Sequence, residues 1–181
     1  MATAIPVWAN PITEPKRKYK FILNIAGIPA YVVKTTDRPQ VTIGETKHEF
    51  LVHDFKFPGR VTWNDINIAL VDPIDPDVSR KLLQFVKNAG YVYPGEFSPS
   101  PSDPNYLRKT PGKANFIDQI GQVTIDTLNS AGQTIESWKL NNAWVKSVTY
   151  NQMSYSDEGL VELGLTVTYD WAELESFGPA E

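Results

Sequence analysis

The sequence predicts a mainly β fold, an antiparallel β-sandwich or barrel with one flanking α-helix. Several segments alternate apolar and polar residues with period two, which is typical of half-buried strands. Clusters of glycine, proline, asparagine and aspartate separate these segments and indicate turns. A single segment, within residues 74–90, has the spacing of an amphipathic helix. About eight or nine strands and one helix fit a sandwich or a small barrel.

The length of 181 residues fits one domain, because domains commonly contain roughly 100–200 residues. Residues 1–16 carry three prolines and little periodicity, so we expect an N-terminal arm there. The domain is expected over residues 17–175, and residues 176–181 are expected to form a C-terminal tail. In the first part of the domain, the alternation predicts strands over residues 18–25, 30–35, 40–44 and 47–57.

A longer strand is predicted over residues 60–71, after a tight break at the Pro-Gly pair 58–59. Its apolar residues change parity, because Val61 and Trp63 share one face and the apolar residues after Asp65 share the other. A regular strand cannot direct both sets toward one core. We therefore expect a bulge near position 64, and we interpret Asp65 as a bulge or edge residue rather than a catalytic one.

A helix is predicted after this strand, over roughly residues 76–89. Asp75 is expected to cap it, Pro76 to take its first position, and Gly90 to follow its end. The helical spacing places on one face Val78, Leu82, Phe85, Val86 and Ala89. Residues 92–115 contain five prolines and no periodicity, which predicts a long loop.

Strands resume in the last third of the chain, over residues 121–129, 134–140, 143–155 and 160–171. The last of them has the most regular alternation, which places Trp171 on the same face as the apolar residues from Val161 to Tyr169. Trp63, Trp144 and Trp171 are therefore predicted to be core residues. The alternative is an exposed tryptophan platform, as in a carbohydrate-binding β-sandwich.

The composition argues against several kinds of site. There are 17 basic and 21 acidic residues and the net charge is -4, which argues against general nucleic-acid binding. The absence of cysteine excludes disulfides, thiolate metal sites and a cysteine nucleophile. His48 and His53 are five residues apart on one predicted strand, so we expect them on opposite faces, unable to share a metal. We expect neither a metal nor a cofactor.

Catalytic motifs are also missing, because the sequence has no nucleophile elbow, no phosphate loop and no dinucleotide-binding glycine motif. The prediction is a protein without enzymatic activity; a hydrolase that uses a carboxylate pair distant in sequence is the alternative. The first residues lack a signal-peptide pattern, and no apolar run is long enough for a membrane span. Synthesis in a cytoplasm without membrane insertion is expected.

Two long segments carry a resemblance to a known family. The first, VHDFKFPGRVTWNDINIALVDP, precedes the predicted helix, and the second, ESWKLNNAWVKSVTYNQMSYSDEGLVELGLTVTYDWAEL, lies near the end of the chain. The P-G-R-x-x-W strand, the W-x-L-x-N-A-W-x-K segment and the final Y-D-W resemble the tail tube protein family of contractile-tailed bacteriophages. That family includes baseplate tube-initiator relatives. The resemblance covers roughly residues 16–175.

This resemblance implies a structural subunit of a bacteriophage tail tube. Hexameric rings would stack, and the inner strands would join one closed barrel around a lumen that conducts DNA without binding it specifically. The implied partners are further copies of the chain, the tail sheath and baseplate proteins. The implied location is the virion tail, after assembly in the cytoplasm of the host bacterium. A baseplate tube initiator or adaptor, and the tube of a related contractile injection system, stay open as alternatives.

Assembly contacts are expected from residues that the core does not require. Arg60 is expected to contact a neighbouring subunit. The 92–115 loop, together with the 1–16 arm, is expected to govern association rather than folding. The anchors and cations expected to contact a partner there are Phe97, Tyr106, Arg108, Lys109 and Lys113.

Overall fold

The computed structural model describes residues 14–106 and 110–177. Within these ranges it contains ten β-strands and two α-helices. The strands are β1 (Phe21–Asn24), β2 (Val33–Thr36), β3 (Gln40–Phe50), β4 (His53–Asn64), β5 (Ile66–Val71), β6 (Val123–Leu128), β7 (Thr134–Asn141), β8 (Trp144–Tyr150), β9 (Glu162–Thr168) and β10 (Trp171–Ser176). The helices are α1 (Val78–Asn88) and α2 (Lys113–Ile120). Arg108, Lys109 and most of the predicted arm lie outside the described residues.

All named strand pairs are antiparallel, which confirms the predicted fold class at that level. The first sheet has the order β1-β6-β7-β10, and the second sheet has the order β2-β5-β9-β8. The β3 and β4 strands pair with each other as a separate hairpin. Each four-stranded sheet keeps two edge strands, so the described part of one subunit contains no closed barrel.

The core contains buried side chains from both four-stranded sheets. Alternate residues of β5 and β9 point into it, and directly paired residues are buried together. Ile68 pairs with Leu165 and Leu70 pairs with Leu163, and none of these four side chains is more than 2% exposed. The alternation predicted from Val161 onward is confirmed for residues 163–169, because every odd-numbered residue in that range is buried. It is wrong for Val161, which precedes β9 and is 41% exposed.

The prediction that Trp171 is a core residue is wrong for the single subunit. The chain leaves the second sheet after Thr168 and joins the first sheet as β10, so the alternation does not continue through Asp170. Ala172 is therefore the buried residue at 9% exposure, whereas Trp171 is 42% exposed. A change of sheet within two residues is invisible to a period-two pattern.

The other two tryptophans predicted for the core are half-buried. Trp63 packs against the core, and its ring centroid lies 6.0 Å from that of Tyr169. The ring centroid of Trp144 lies 6.0 Å from that of Phe116 in α2. Both side chains therefore pack at the margin of the subunit rather than at the centre of its core.

The β3–β4 hairpin differs from the sequence prediction. The separate strands predicted over residues 40–44 and 47–57 belong to one long hairpin, which turns at residues 51–52. The Pro-Gly pair 58–59 lies inside β4, at a bulge where Gly59 and Arg60 together oppose Gly44 of β3, and is not a break. A Cβ atom on Gly59 would lie 3.1 Å from the backbone of β3, so the two strands approach closely at this point.

Asp65 separates β4 from β5. The expected bulge within one strand is wrong, because the chain passes from the hairpin to the second sheet at this residue. This step produces the change of parity seen in the sequence. Trp63 and Ile66 both contact the core, although they belong to different sheets.

The first helix forms where it is predicted, but with a different cap. The N-cap of α1 is Asp77 rather than Asp75, because the Asp77 carboxylate accepts a hydrogen bond from the backbone N of Arg80 at 2.8 Å. The Asp72 carboxylate accepts from the first two backbone N–H groups of α1, at 3.1 and 3.2 Å. These acceptors satisfy donors that have no partner within the helix.

The prediction of a single helix is wrong, because α2 begins inside the expected 92–115 loop. This helix has 8 residues, preceded by Gly112 and followed by Gly121 at a φ of 64°. Its length corresponds to only about two turns, which is too short for helical spacing to stand out in the sequence. Ile120, at 1% exposure, joins the helix to the core.

Leu165→Ala is expected to lower the free energy of unfolding by about 2–5 kcal/mol, because it leaves a cavity at a fully buried position. Trp171→Ala is expected to lower the free energy of unfolding by clearly less, since Trp171 is 42% exposed in the folded chain. Chemical denaturation of both variants at a concentration that keeps the chain monomeric measures the difference. Equal losses for the two variants would contradict this description of the core.

Candidate assembly surfaces

The β3–β4 hairpin has an apolar face that the described part of the subunit leaves uncovered. Directly opposed residues of an antiparallel pair share a face, as do residues two apart along a strand. The register opposes Phe57 to Thr46, Phe55 to His48 and Phe50 to His53. The apolar hairpin face comprises Phe50, Phe55 and Phe57, which are 49–60% exposed. A contiguous exposed apolar face is typical of an interaction site.

The opposite face of the hairpin is charged near the turn and apolar near the root, where it carries Val41, Ile43 and Val61 at 49–59% exposure. It includes the opposed pair Lys47 and Lys56 and the opposed pair Glu49 and Asp54. The Lys56 ammonium lies 3.4 Å from the Glu45 carboxylate, which offsets part of the like-charge repulsion. The hairpin is thus amphipathic between residues 45 and 58. Because a lone two-stranded hairpin is at best marginally stable in water, burial of this apolar face against another surface would stabilise it.

Asp65 anchors the hairpin to the second sheet. Its carboxylate accepts hydrogen bonds from Lys146 Nζ of β8 and from Thr168 Oγ1 of β9, both at 2.6 Å. The hydrogen bond from Lys146, followed by the one from Thr168, lowers the pKa of Asp65 and outweighs the opposing effect of burial. These contacts give Asp65 a structural role at the root of the hairpin.

Glu136 of β7 provides a second anchor and is only 3% exposed. Its carboxylate accepts a hydrogen bond from Trp138 Nε1 at 2.9 Å and forms ion pairs with Lys16 and Arg38. Lys16 precedes β1, and Arg38 precedes β3. One buried carboxylate therefore holds both the segment that enters the first sheet and the segment that leads into the hairpin. A buried carboxylate requires such partners.

The middle of the second sheet carries small and mostly polar side chains on the side that faces away from the core. This small-residue face comprises Asn67, Ala69, Ser147, Thr149, Gly164 and Thr166. Larger residues flank it, with Val71 and Glu162 at one end and Trp144 at the other. A Cβ atom on Gly164 would lie 3.4 Å from Cβ of Thr149, so the surface is closely packed there. Thr166 Oγ1 donates a hydrogen bond to Asn67 Oδ1 at 3.1 Å. Such a surface suits contact with water rather than a second apolar core.

A further exposed element lies at the far end of the second sheet. Residues 151–161 link β8 to β9, and all of them are exposed. They include Tyr155, Met153 at 78% exposure and Leu160 at 74% exposure. Because β5 leaves the hairpin and runs antiparallel to β9, the hairpin and this loop adjoin opposite ends of the sheet.

The structure does not gather the predicted assembly residues into one site. Arg60 is exposed at the register shift of the hairpin. Phe97 is 48% exposed, and the residue after it forms a β-bridge with the half-buried Tyr106. Lys113 Nζ donates to the Asp170 carboxylate of its own subunit, at 2.6 and 2.7 Å. The roles of these residues as contacts between subunits remain predictions.

Sequence reasoning missed the apolar hairpin face, although a signal was present. Phe55 and Phe57 alternate with polar residues along β4. The Pro-Gly pair 58–59 interrupts this pattern and suggests a turn. The extra residue of β4 at this point also reverses the parity of the strand, so Val61 and Trp63 lie on the other face although the sequence continues the same alternation.

Within the described ranges, no group of three or more His, Cys, Asp or Glu side chains could hold a metal ion. The expectation that His48 and His53 lie on opposite faces of one strand is wrong. They lie on the two strands of the hairpin, where His48 opposes Phe55 and His53 opposes Phe50, so both share the apolar hairpin face. None of the described helices has the length and apolar character needed to cross a membrane.

Comparison with known proteins gives matches among solved structures. No family model and no curated protein matches the sequence. A chain of the PVC sheath-tube complex, an extracellular contractile injection system in its extended state, aligns with a TM-score of 0.63 at 16% identity, over 92% of this chain and 95% of that chain. A chain of the anti-feeding prophage baseplate aligns with a TM-score of 0.61 at 13% identity, over 91% of this chain and 98% of that chain.

A third match is to a chain of the anti-feeding prophage tube terminating cap, with a TM-score of 0.57 at 15% identity, over 92% of this chain and 94% of that chain. The three alignments span nearly the whole of both chains. They confirm, at the level of the fold, the resemblance predicted from the sequence. TM-scores of 0.57–0.63 establish a shared fold, whereas identities of 13–16% do not establish a shared function.

Asp65→Asn is expected to lower the free energy of unfolding at neutral pH by about 1 kcal/mol, because the ion pair with Lys146 is partly exposed. The folded pKa of Asp65 is lowered, so its stabilising effect is present above the unfolded value and is lost as pH falls through the folded value. Chemical denaturation at neutral pH and in acid measures the free energy of unfolding of Asp65→Asn and of the unsubstituted chain. The difference between the two values should shrink in acid. Asp54→Asn, on the charged face of the hairpin, is the control. A difference for Asp65→Asn that persists in acid would contradict the structural role assigned to the Asp65 carboxylate.

Proposed function

We propose that this protein is a non-enzymatic structural subunit of the tube of a contractile tail or tail-like particle, assembling as stacked hexameric rings. The observation that carries the proposal is the uncovered apolar hairpin face. It occurs on a fold shared with chains of a sheath-tube complex and of a baseplate. A tube subunit meets copies of itself on several sides, and these copies supply a surface that would cover the apolar hairpin face.

Ring closure is proposed to use the edge strands of the second sheet. β2 and β8 form its two edges, and three antiparallel pairings separate them, so they run in opposite directions. Placing β8 of one copy beside β2 of the next therefore continues the antiparallel order. Repeating this contact around a ring produces a closed barrel. Closure also removes open edges that would otherwise invite uncontrolled association.

The small-residue face is proposed to line the lumen. Small polar side chains would leave the channel wide and hydrated. In a bacteriophage tail, this lumen would conduct DNA without binding it specifically, which agrees with a net charge of -4. The assembled chain would then be a virion component, surrounded by sheath proteins and continuous with baseplate proteins.

Contacts between rings are proposed to involve the apolar hairpin face and the 151–161 loop. These two elements adjoin opposite ends of the second sheet, so stacked rings would bring the hairpin of one ring toward the loop of the next. Both elements expose apolar side chains, such as Phe55 on the hairpin and Met153 on the loop. Their mutual burial would stabilise stacking.

The tube of an extracellular contractile injection system is a second candidate, favoured by the match to the PVC sheath-tube complex. A baseplate tube initiator or adaptor is a third, favoured by the match to the anti-feeding prophage baseplate. Both retain the same subunit contacts and differ in cargo or in position along the particle. A carbohydrate-binding sandwich is disfavoured, because Trp63 and Trp144 pack on aromatic neighbours of their own subunit.

Phe55→Ser combined with Phe57→Ser is expected to prevent assembly into rings and tubes. A phenylalanine contributes about 1.5–3 kcal/mol on full burial, and about half of this is left to gain on association, so removal of both should weaken association by about tenfold to a hundredfold. Analytical ultracentrifugation and negative-stain microscopy measure the assembled fraction. The folded subunit should be retained, because both side chains are about half exposed within it, at 49% and 55%.

The matched control is Asp54→Ser combined with Lys56→Ser, which changes the same strand on its other face. This control is expected to assemble nearly as the unsubstituted chain does. Normal assembly of the phenylalanine variant, or equal loss in both double variants, would contradict the proposed role of the apolar hairpin face.

A further inference from the structure

A cleft of about 870 Å³ lies between β1 and β2, at one edge of each four-stranded sheet. Six cationic side chains line it, and it is called the basic cleft: Lys16, Arg17, Lys18, Lys20, Lys34 and Arg38. Phe21, Val33 and Ile125 add an apolar lining. A surface of this kind favours a ligand that combines negative charge with apolar side chains.

Part of this positive charge is not neutralised within the subunit. Lys16 and Arg38 pair with Glu136, and Lys34 pairs with Glu162. For Arg17 and Lys18, in contrast, no carboxylate of the described residues lies within 4.0 Å. Both side chains are exposed.

The complementary chemistry is found on β10 of the same chain. This strand and the residue after it read W-A-E-L-E-S-F, which alternates acidic and apolar residues. Glu173 and Glu175 are exposed, and among the described residues neither has a lysine or arginine within 4.0 Å. Leu174 and Phe177 are 50% and 49% exposed.

Strand direction permits the two surfaces to meet between copies. β1 and β10 are opposite edges of the first sheet, and three antiparallel pairings separate them. A second copy that places its β10 beside β1 therefore continues the antiparallel order. Because β1 and β10 are at opposite edges of the sheet, each copy would present its basic cleft to one neighbour and its acidic β10 strand to another.

We infer that the basic cleft binds the acidic β10 strand of a second copy of this chain, and that this head-to-tail contact specifies the neighbour within a ring. The inference rests on the proposed tube function for the presence of that neighbour. Arg17 and Lys18 contact Glu173 and Glu175 of the next copy, while the apolar lining of the cleft receives the intervening side chains. Nucleic acid is a poorer occupant, because its phosphates would leave this apolar lining uncovered.

Charge reversal on either side tests the contact. Arg17→Glu with Lys18→Glu, and separately Glu173→Lys with Glu175→Lys, are each expected to raise the concentration needed for assembly by about tenfold or more. Mixing the two variants is expected to restore assembly, because each supplies a cleft that matches the strand of the other. Arg80→Glu, on the exposed surface of α1, is the control and should assemble normally.

Engineered cysteines locate the contact directly, since the chain has no cysteine of its own. Lys18→Cys mixed with Glu175→Cys is expected to form a disulfide-linked heterodimer on mild oxidation. Arg80→Cys mixed with Glu175→Cys should not. If a disulfide forms within one chain that carries both Lys18→Cys and Glu175→Cys, but not between the two single variants, the strand occupies its own cleft and the inference is overturned.

A synthetic peptide of residues 170–177 separates this inference from the tube proposal. Fluorescence anisotropy should show that the labelled peptide binds the unsubstituted chain and binds the Arg17→Glu, Lys18→Glu variant at least about tenfold more weakly. Peptide binding by a chain that never assembles would support the inferred binding of β10 to the basic cleft and contradict the proposed tube function. Normal tubes formed by both charge-reversal variants would overturn the inferred contact. A labelled DNA duplex that binds the cleft while the peptide does not would overturn it as well.

Discussion

The apolar face of the β3–β4 hairpin projects from a subunit whose own core is complete without it. Phe55 and Phe57 remain about half exposed, at 49% and 55%, and no third strand pairs with the hairpin in the described residues. Two strands cannot cover one face of their own sheet, so the hairpin gains most of its stability only when another surface covers it. The proposed stacking contacts depend on this constraint, whereas the proposed ring closure depends on the open edge strands of the second sheet.

The contacts at the base of the hairpin fix its position relative to the rest of the subunit. Asp65 binds Lys146 and Thr168 of the second sheet, while Glu136 of the first sheet binds Arg38 just before β3. Both anchors lie at the root, and the apolar face lies beyond them. The subunit can therefore present a preformed surface, which reduces the conformational entropy lost on association.

The sequence predicts the strands that have one face toward the core and the other toward water along their whole length. The prediction fails where the chain moves to another sheet or shifts its pairing register. The alternation in β9 is visible because one side faces the core and the other faces water. Trp171 was misplaced because the chain changes sheets within two residues, and α2 was missed because 8 residues provide too little periodicity. The apolar hairpin face was hidden by a Pro-Gly pair inside β4 and by the extra residue that shifts the register of β4 there. Features of this kind depend on tertiary pairing, which local patterns do not contain.

Cryo-electron microscopy of the purified chain at high concentration tests the central claim most directly, because it shows what covers the hairpin. The account predicts stacked hexameric rings in which the small-residue face lines the lumen and neighbouring copies bury Phe55 and Phe57. Particles that remain monomeric at concentrations where comparable tube proteins polymerise would contradict the account. So would rings in which the apolar hairpin face projects freely into solvent.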